Sequence, residues 1–162
     1  MRTLIIGYGN PLRGDDGLGW RVAEELATHP EFSEAEIVSR HQLTPEMAEH
    51  ISHADRVLFI DATRDGTPGE ITCQPVNGAS IPTQFSHQYS PDELLALAHA
   101  LYGARARGFV FTMCGRDFEH GDKLSPIVAS RIPVLVERLV EATRDGFRDR
   151  TSDASSPVQL DT

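Results

Sequence analysis

A chain of 162 residues has the length of one domain and can bury roughly 70% of its unfolded surface in a single core. Its composition, 40% hydrophobic and 24% charged, is that of an ordinary globular protein. Fifteen basic residues against 24 acidic ones leave a net charge of −9, which repels a polyanion and argues against nucleic acid as a partner.

Residues 3–6 are an apolar run and predict a first buried strand. A helical pattern follows over residues 16–27, with Leu18, Val22, Ala23 and Leu26 on one face. Between the two lie Gly7, Gly9, Gly14 and Gly17, together with Asn10, Pro11 and the adjacent carboxylates Asp15 and Asp16. Glycine permits tight turns and close backbone approach, so this loop is expected to admit something small or extended against it. Residues 36–39 predict a short strand, and Thr44-Pro45 a cap and first-turn proline for a helix through Ile51. The strongest strand signal is residues 56–61, an apolar run ending in Asp61. Residues 70–74 predict an antiparallel edge strand. Ser90-Pro91-Asp92-Glu93 combines a cap, a first-turn proline and a capping-box glutamate, opening a helix that stops near Gly103. Residues 109–113 predict another buried strand. Ser125-Pro126 opens a long last helix with Pro133 inside it, where a kink is expected. Residues 148–162 lack an apolar pattern and are expected to be a solvated, disordered tail after a domain of residues 1–147.

Strands alternating with helices predict a single-domain α/β fold, a three-layer sandwich whose mostly parallel twisted sheet carries helices on both faces. Ligands in such sheets bind beyond the carboxyl ends of the strands. That rule gathers Asp16, Asp61 and His87, each in or beside a loop expected at that edge. Two carboxylates and an imidazole suit a divalent transition metal with open positions. Both carboxylates are expected to ionise near the ordinary value of about 4. Cys73 and Cys114 sit in strand-like runs and form neither a disulfide framework nor a metal-thiolate pair, which fits a reducing compartment. No apolar segment resembles a signal peptide or a membrane span, so a cytoplasmic protein without a membrane partner, most simply a monomer, is expected.

Plainer roles compete for each residue. Asp16 could cap its helix, Asp61 could cap the turn after it, and His87 could be a hydrogen-bonded loop histidine. His50 and His53 share a helix face, where solvation is the simpler reading; His41 and His120 are open. A dinucleotide fingerprint fails, because Leu12 stands at the third glycine position and the acids would face pyrophosphate. No G-x-S-x-G elbow or H-E-x-x-H helix is present, and neither cysteine has an activating histidine near it in sequence.

The run Gly7–Gly19, reading G-x-G-N-x-L-x-x-D-D-G-x-G, resembles the signature of the maturation endopeptidases of nickel–iron hydrogenases. Similarity continues through Phe59-Ile60-Asp61-Ala62, Ser86-His87-Gln88 before the Pro91 helix, and Leu124-Ser125-Pro126, spanning residues 3–143. The resemblance implies a protease that removes a C-terminal extension from the hydrogenase large-subunit precursor after nickel insertion. It further implies that Asp16, Asp61 and His87 are the catalytic and metal-contacting residues. The nickel would be supplied by the precursor as a recognition handle, leaving the free enzyme metal-free. Asp16 stands where some members carry glutamate, and Arg40-His41-Gln42-Leu43-Thr44-Pro45-Glu46 stands where many carry a D-G-G-T-like turn. His41 and Gln42 are thereby candidates for contacting the precursor. The expected chemistry is attack by water on the scissile amide, with Asp16 or Asp61 assisting proton transfer. The competing readings are a non-catalytic nickel carrier and a flavodoxin-like nucleotide binder.

Overall fold

A computed structural model describes residues 1–76, 88–145 and 158–159. In chain order the elements are β1 Thr3–Tyr8, α1 Leu18–Ala27, β2 Glu36–Arg40, α2 Met47–Ser52, β3 Arg56–Thr63, β4 Ile71–Val76, α3 Pro91–Tyr102, β5 Arg107–Cys114, α4 Pro126–Arg144 and β6 Val158–Gln159. They build one sheet in the order β2-β1-β3-β5-β4-β6. Strands β2, β1, β3 and β5 run parallel, while β4 is antiparallel to both β5 and β6. The expected mostly parallel α/β sandwich is the observed one.

The apolar runs in β1 and β3 follow from burial on both faces of the sheet. Successive side chains point to opposite sides, so Ile5, Leu58 and Ile60 pack with α1 and α4 through Leu18, Val22, Leu26, Val128, Ile132, Leu135 and Leu139. Leu4, Ile6, Val57 and Phe59 pack on the other side against α2 and α3, through Met47, Ala48, Ile51, Leu94 and Leu97. The chain leaves β1 for β2 on one side and returns to β3 on the other. The C-terminal ends of β1 and β3 therefore flank the point where the strand order reverses, the usual place for a ligand crevice.

Local signals explain most boundaries. Ser90 Oγ accepts from Glu93 N while Glu93 Oε1 accepts from Ser90 N, and Gly103 closes α3 in the left-handed region at φ 66°. Three details differ from expectation. Thr44-Pro45 does not cap α2: their carbonyls accept from Met47 and Ala48 in a lead-in turn, and the helix starts at Met47. The helical pattern expected from Asp16 opens as a 3-10 turn, Gly14–Gly17, before α1. The strand expected at residues 70–74 is antiparallel but not at an edge, because β4 lies between β5 and β6. Of the expected tail, only Val158–Gln159 fall among the described residues, paired with Cys73 and Thr72 of β4.

Candidate active site

Two glycines bring the first loop onto the sheet. A Cβ on Gly7 would lie 2.1 Å from the carbonyl oxygen of Gly19, and one on Gly19 would lie 2.6 Å from Tyr8 N. The start of α1 thus rests backbone-on-backbone against the end of β1. The space that the glycines free is filled by the protein's own chain, contrary to the expectation of a ligand there. Asn10 shapes the loop between them, its Oδ1 accepting from Leu12 N at 2.9 Å.

The 3-10 turn then sends the paired carboxylates in different directions. Asp15 is wholly buried and accepts four hydrogen bonds, from Arg116 N (2.7 Å), Asp117 N (2.9 Å), Ser125 N (2.7 Å) and Ser125 Oγ (2.8 Å). Burial by itself would raise its pKa. The bonds from Asp117, Ser125 and Arg116 outweigh that and hold it below the usual carboxylate value. Asp15 is a latch between the first loop and the loop ahead of α4. Asp16 is half-buried and caps no helix, since no side chain caps α1. Its Oδ2 accepts from Asn10 N at 2.7 Å, and its carboxylate lines a cavity.

That cavity, about 400 Å³, is lined by Tyr8, Asp16, His41, Gln42, Asp61 and Gln88 among others. Asp61 enters it from the end of β3. Burial, and next the charge of Asp16, push the Asp61 pKa up to about 7, although bonds from the Tyr8 hydroxyl and from the Ala62 backbone pull it down. The expectation that both acids ionise near 4 therefore fails for Asp61: it is desolvated and faces another acid. His41 is exposed at the rim, with its ring edge-on to Trp20 at 5.4 Å between centroids. The Trp20 Nε1 donates to Gly9 O at 2.9 Å and Arg40 O at 3.1 Å, tying the loops after β1 and β2 together. Tyr89 N donates to Leu43 O at 3.1 Å and closes the opposite wall.

Asp16, Asp61, His41 and Gln42 are thus assembled on one cavity. His87 lies outside the described residues; its chain neighbour Gln88 lines that cavity. Among the described residues no three His, Cys, Asp or Glu side chains form a group able to hold a metal. His53 and His120 are exposed, and His50 Nδ1 lies 3.3 Å from Glu36 Oε1, all away from the acids. Tyr8 was not legible as a site residue, because an aromatic ring between two glycines carries no chemical signature. A larger hollow of about 510 Å³ lies between α1 and α4. Beside Ile132, Pro133, Val136 and Val140 its lining holds Glu25 and Glu137 together with Arg21 and Arg144, on the helices and away from the strand-order reversal where Asp16 and Asp61 meet. Cys73 is buried, and burial and the charges of Glu70, Asp65 and Asp15 raise the Cys114 thiol, which rules it out as a thiolate nucleophile.

Over 156 residues the chain is 27% identical to the hydrogenase 2 maturation protease of Escherichia coli strain K12, covering 90% of this chain and 92% of that one. Along nine-tenths of its length the chain is thus similar to a hydrogenase maturation protease. The E. coli hydrogenase maturating endopeptidase HybD has the same fold, with a TM-score of 0.71 at 23% identity, over 90% of this chain and 94% of its own. The hydrogenase maturation protease HycI from Thermococcus kodakarensis KOD1 gives 0.66 at 21% identity, over 86% and 90%. No family profile matches the chain. No helix among the described residues is long and apolar enough to cross a membrane.

Proposed function

We propose that this protein is an aspartic-type endopeptidase that cuts the C-terminal extension from a nickel–iron hydrogenase large-subunit precursor after nickel insertion, acting as a cytoplasmic monomer. The observation that carries the reading is the convergence of Asp16 and Asp61 on one cavity at the strand-order reversal, in a chain similar along nine-tenths of its length to such a protease. Two repelling carboxylates in a partly desolvated cavity are poised for a cation. The precursor's nickel is that cation, met by Asp16, Asp61 and His87 and arriving with ligands of its own. His41 and Gln42 at the rim contact the precursor.

A carboxylate that meets the metal through one oxygen keeps lone pairs on the other. Water adds to the scissile carbonyl carbon and gives its proton to Asp61. The C–N bond then breaks and the proton passes to the departing amine. The oxygen of Asp61 turned away from the metal is the one that takes the proton and returns it.

The deciding experiment incubates the protein with nickel-loaded and metal-free precursor and measures the masses of both products. Release of the tail from the loaded precursor alone is expected. A carrier would leave both uncut, and equal cleavage of both would remove nickel as the handle.

The pH dependence follows from Asp61. Its carboxylate form is required in the free enzyme and dominates only above about pH 7. Below that value kcat/KM should fall about tenfold per pH unit. A profile flat to pH 5 would show that ionised Asp61 is not needed.

A further inference from the structure

The strand register places a side chain beside Asp61 that no motif singles out. In the β1–β3 pairing Gly7 stands opposite Ile60, so the next residues along, Tyr8 at the end of β1 and Asp61 in β3, stand side by side. Ile6 and Phe59, two residues earlier in each strand, both belong to the cluster under α2 and α3. By the two-residue alternation, Tyr8 and Asp61 share that face, and both line the cavity. The Tyr8 ring packs against the same cluster, which places its hydroxyl within electrostatic reach of the Asp61 carboxylate.

We propose that Tyr8 is a positioning residue: its hydroxyl holds the Asp61 carboxylate in the orientation that meets the nickel of the precursor. The torsion that turns an aspartate carboxylate is broad, with no sharp preferred setting of its own. Asp61 also faces the like charge of Asp16, which favours rotation away from the cavity. A donor on a ring anchored in the core opposes that rotation. Asp16 is held comparably, by a donor from its own loop, the Asn10 N–H. Burial and the charge of Asp61 keep the phenol protonated, so it remains a donor throughout the neutral range. Donors behind metal-contacting groups commonly change metal affinity or activity by 10–100-fold.

The inference rests on the reading that Asp61 meets precursor-borne nickel, and the test separates the two. Binding to nickel-loaded and metal-free precursor is measured for wild type, Tyr8→Phe, Asp61→Asn and the double variant, under conditions where cleavage is slow compared with binding. Tyr8→Phe should weaken binding of the loaded precursor about tenfold or more and leave the metal-free precursor unaffected. The melting temperature should stay within a few degrees of wild type, since the ring remains. In the Asp61→Asn background the Tyr8→Phe penalty should vanish, because the hydroxyl acts through that carboxylate. Unchanged binding of both precursors by Tyr8→Phe overturns the proposal. So does equal weakening of both, or a full penalty that persists without the Asp61 carboxylate. If Asp61→Asn keeps the wild-type preference for loaded precursor, the nickel reading itself fails and takes this inference with it.

Discussion

Asp61→Asn should abolish tail release while making the free protein more stable at pH 8. On the proposal that Asp61 meets the nickel and carries the proton, its loss should cost at least about 100-fold in kcat/KM. The gain in stability follows from the sign of the Asp61 shift. Its folded pKa, about 7, lies above the model value of 3.8. A group raised in this way favours the fold fully below about pH 4, and that contribution is lost as pH rises through 7. By pH 8 wild type has forfeited on the order of 4 kcal/mol that an uncharged amide does not forfeit. Urea midpoints at pH 4, 6 and 8 check this: the variant's advantage should grow with pH. A variant that is less stable than wild type at pH 8 would show that the carboxylate is not strained by burial.

Asp15, a neighbour of Asp16 with the same side chain, should behave in the opposite way. Asp15→Ala leaves three backbone N–H groups and the Ser125 hydroxyl without their acceptor, at a carboxylate site that is wholly buried although Arg116 and Asp117 are themselves exposed. The expected cost is about 3–5 kcal/mol, enough to lower the melting temperature by roughly 10 °C in a domain of this size. The pH sign is also reversed. The Asp15 pKa is depressed, so its contribution is present above about pH 3.9 and lost as pH falls through the lower folded value. The stability gap between wild type and Asp15→Asn should therefore close in acid. If Asp15→Ala melts with wild type, the latch between the first loop and the α4 entrance contributes nothing.

The sequence announced the scaffold better than the division of labour within it. Strands β1 and β3 and the opening of α3 were legible, because each depends on an apolar run or a cap contained within a few residues. The convergence of Asp16 with Asp61 was legible from topology, since parallel strands deliver their C-terminal loops to one edge. The separate fates of Asp15 and Asp16 were not. A 3-10 turn rotates successive side chains by about 120°, and the partners that claim Asp15 lie more than 100 residues away. The Asp61 pKa was likewise hidden, because desolvation and the facing Asp16 exist only after folding. Thr44-Pro45 misled for a related reason: the pair does turn the chain, but its carbonyls start the helix two residues later.

The contact between Gly7 and Gly19 changes what the opening motif means as a marker of descent. A Cβ on either residue would run into backbone that cannot yield, so this spacing is set by how closely a helix can lie on a strand. Those positions would be retained under any reaction the scaffold came to host. The proposed chemistry is written separately, at Asp16 and Asp61. A chain that kept the glycines and lost those two acids would inherit the architecture without the protease.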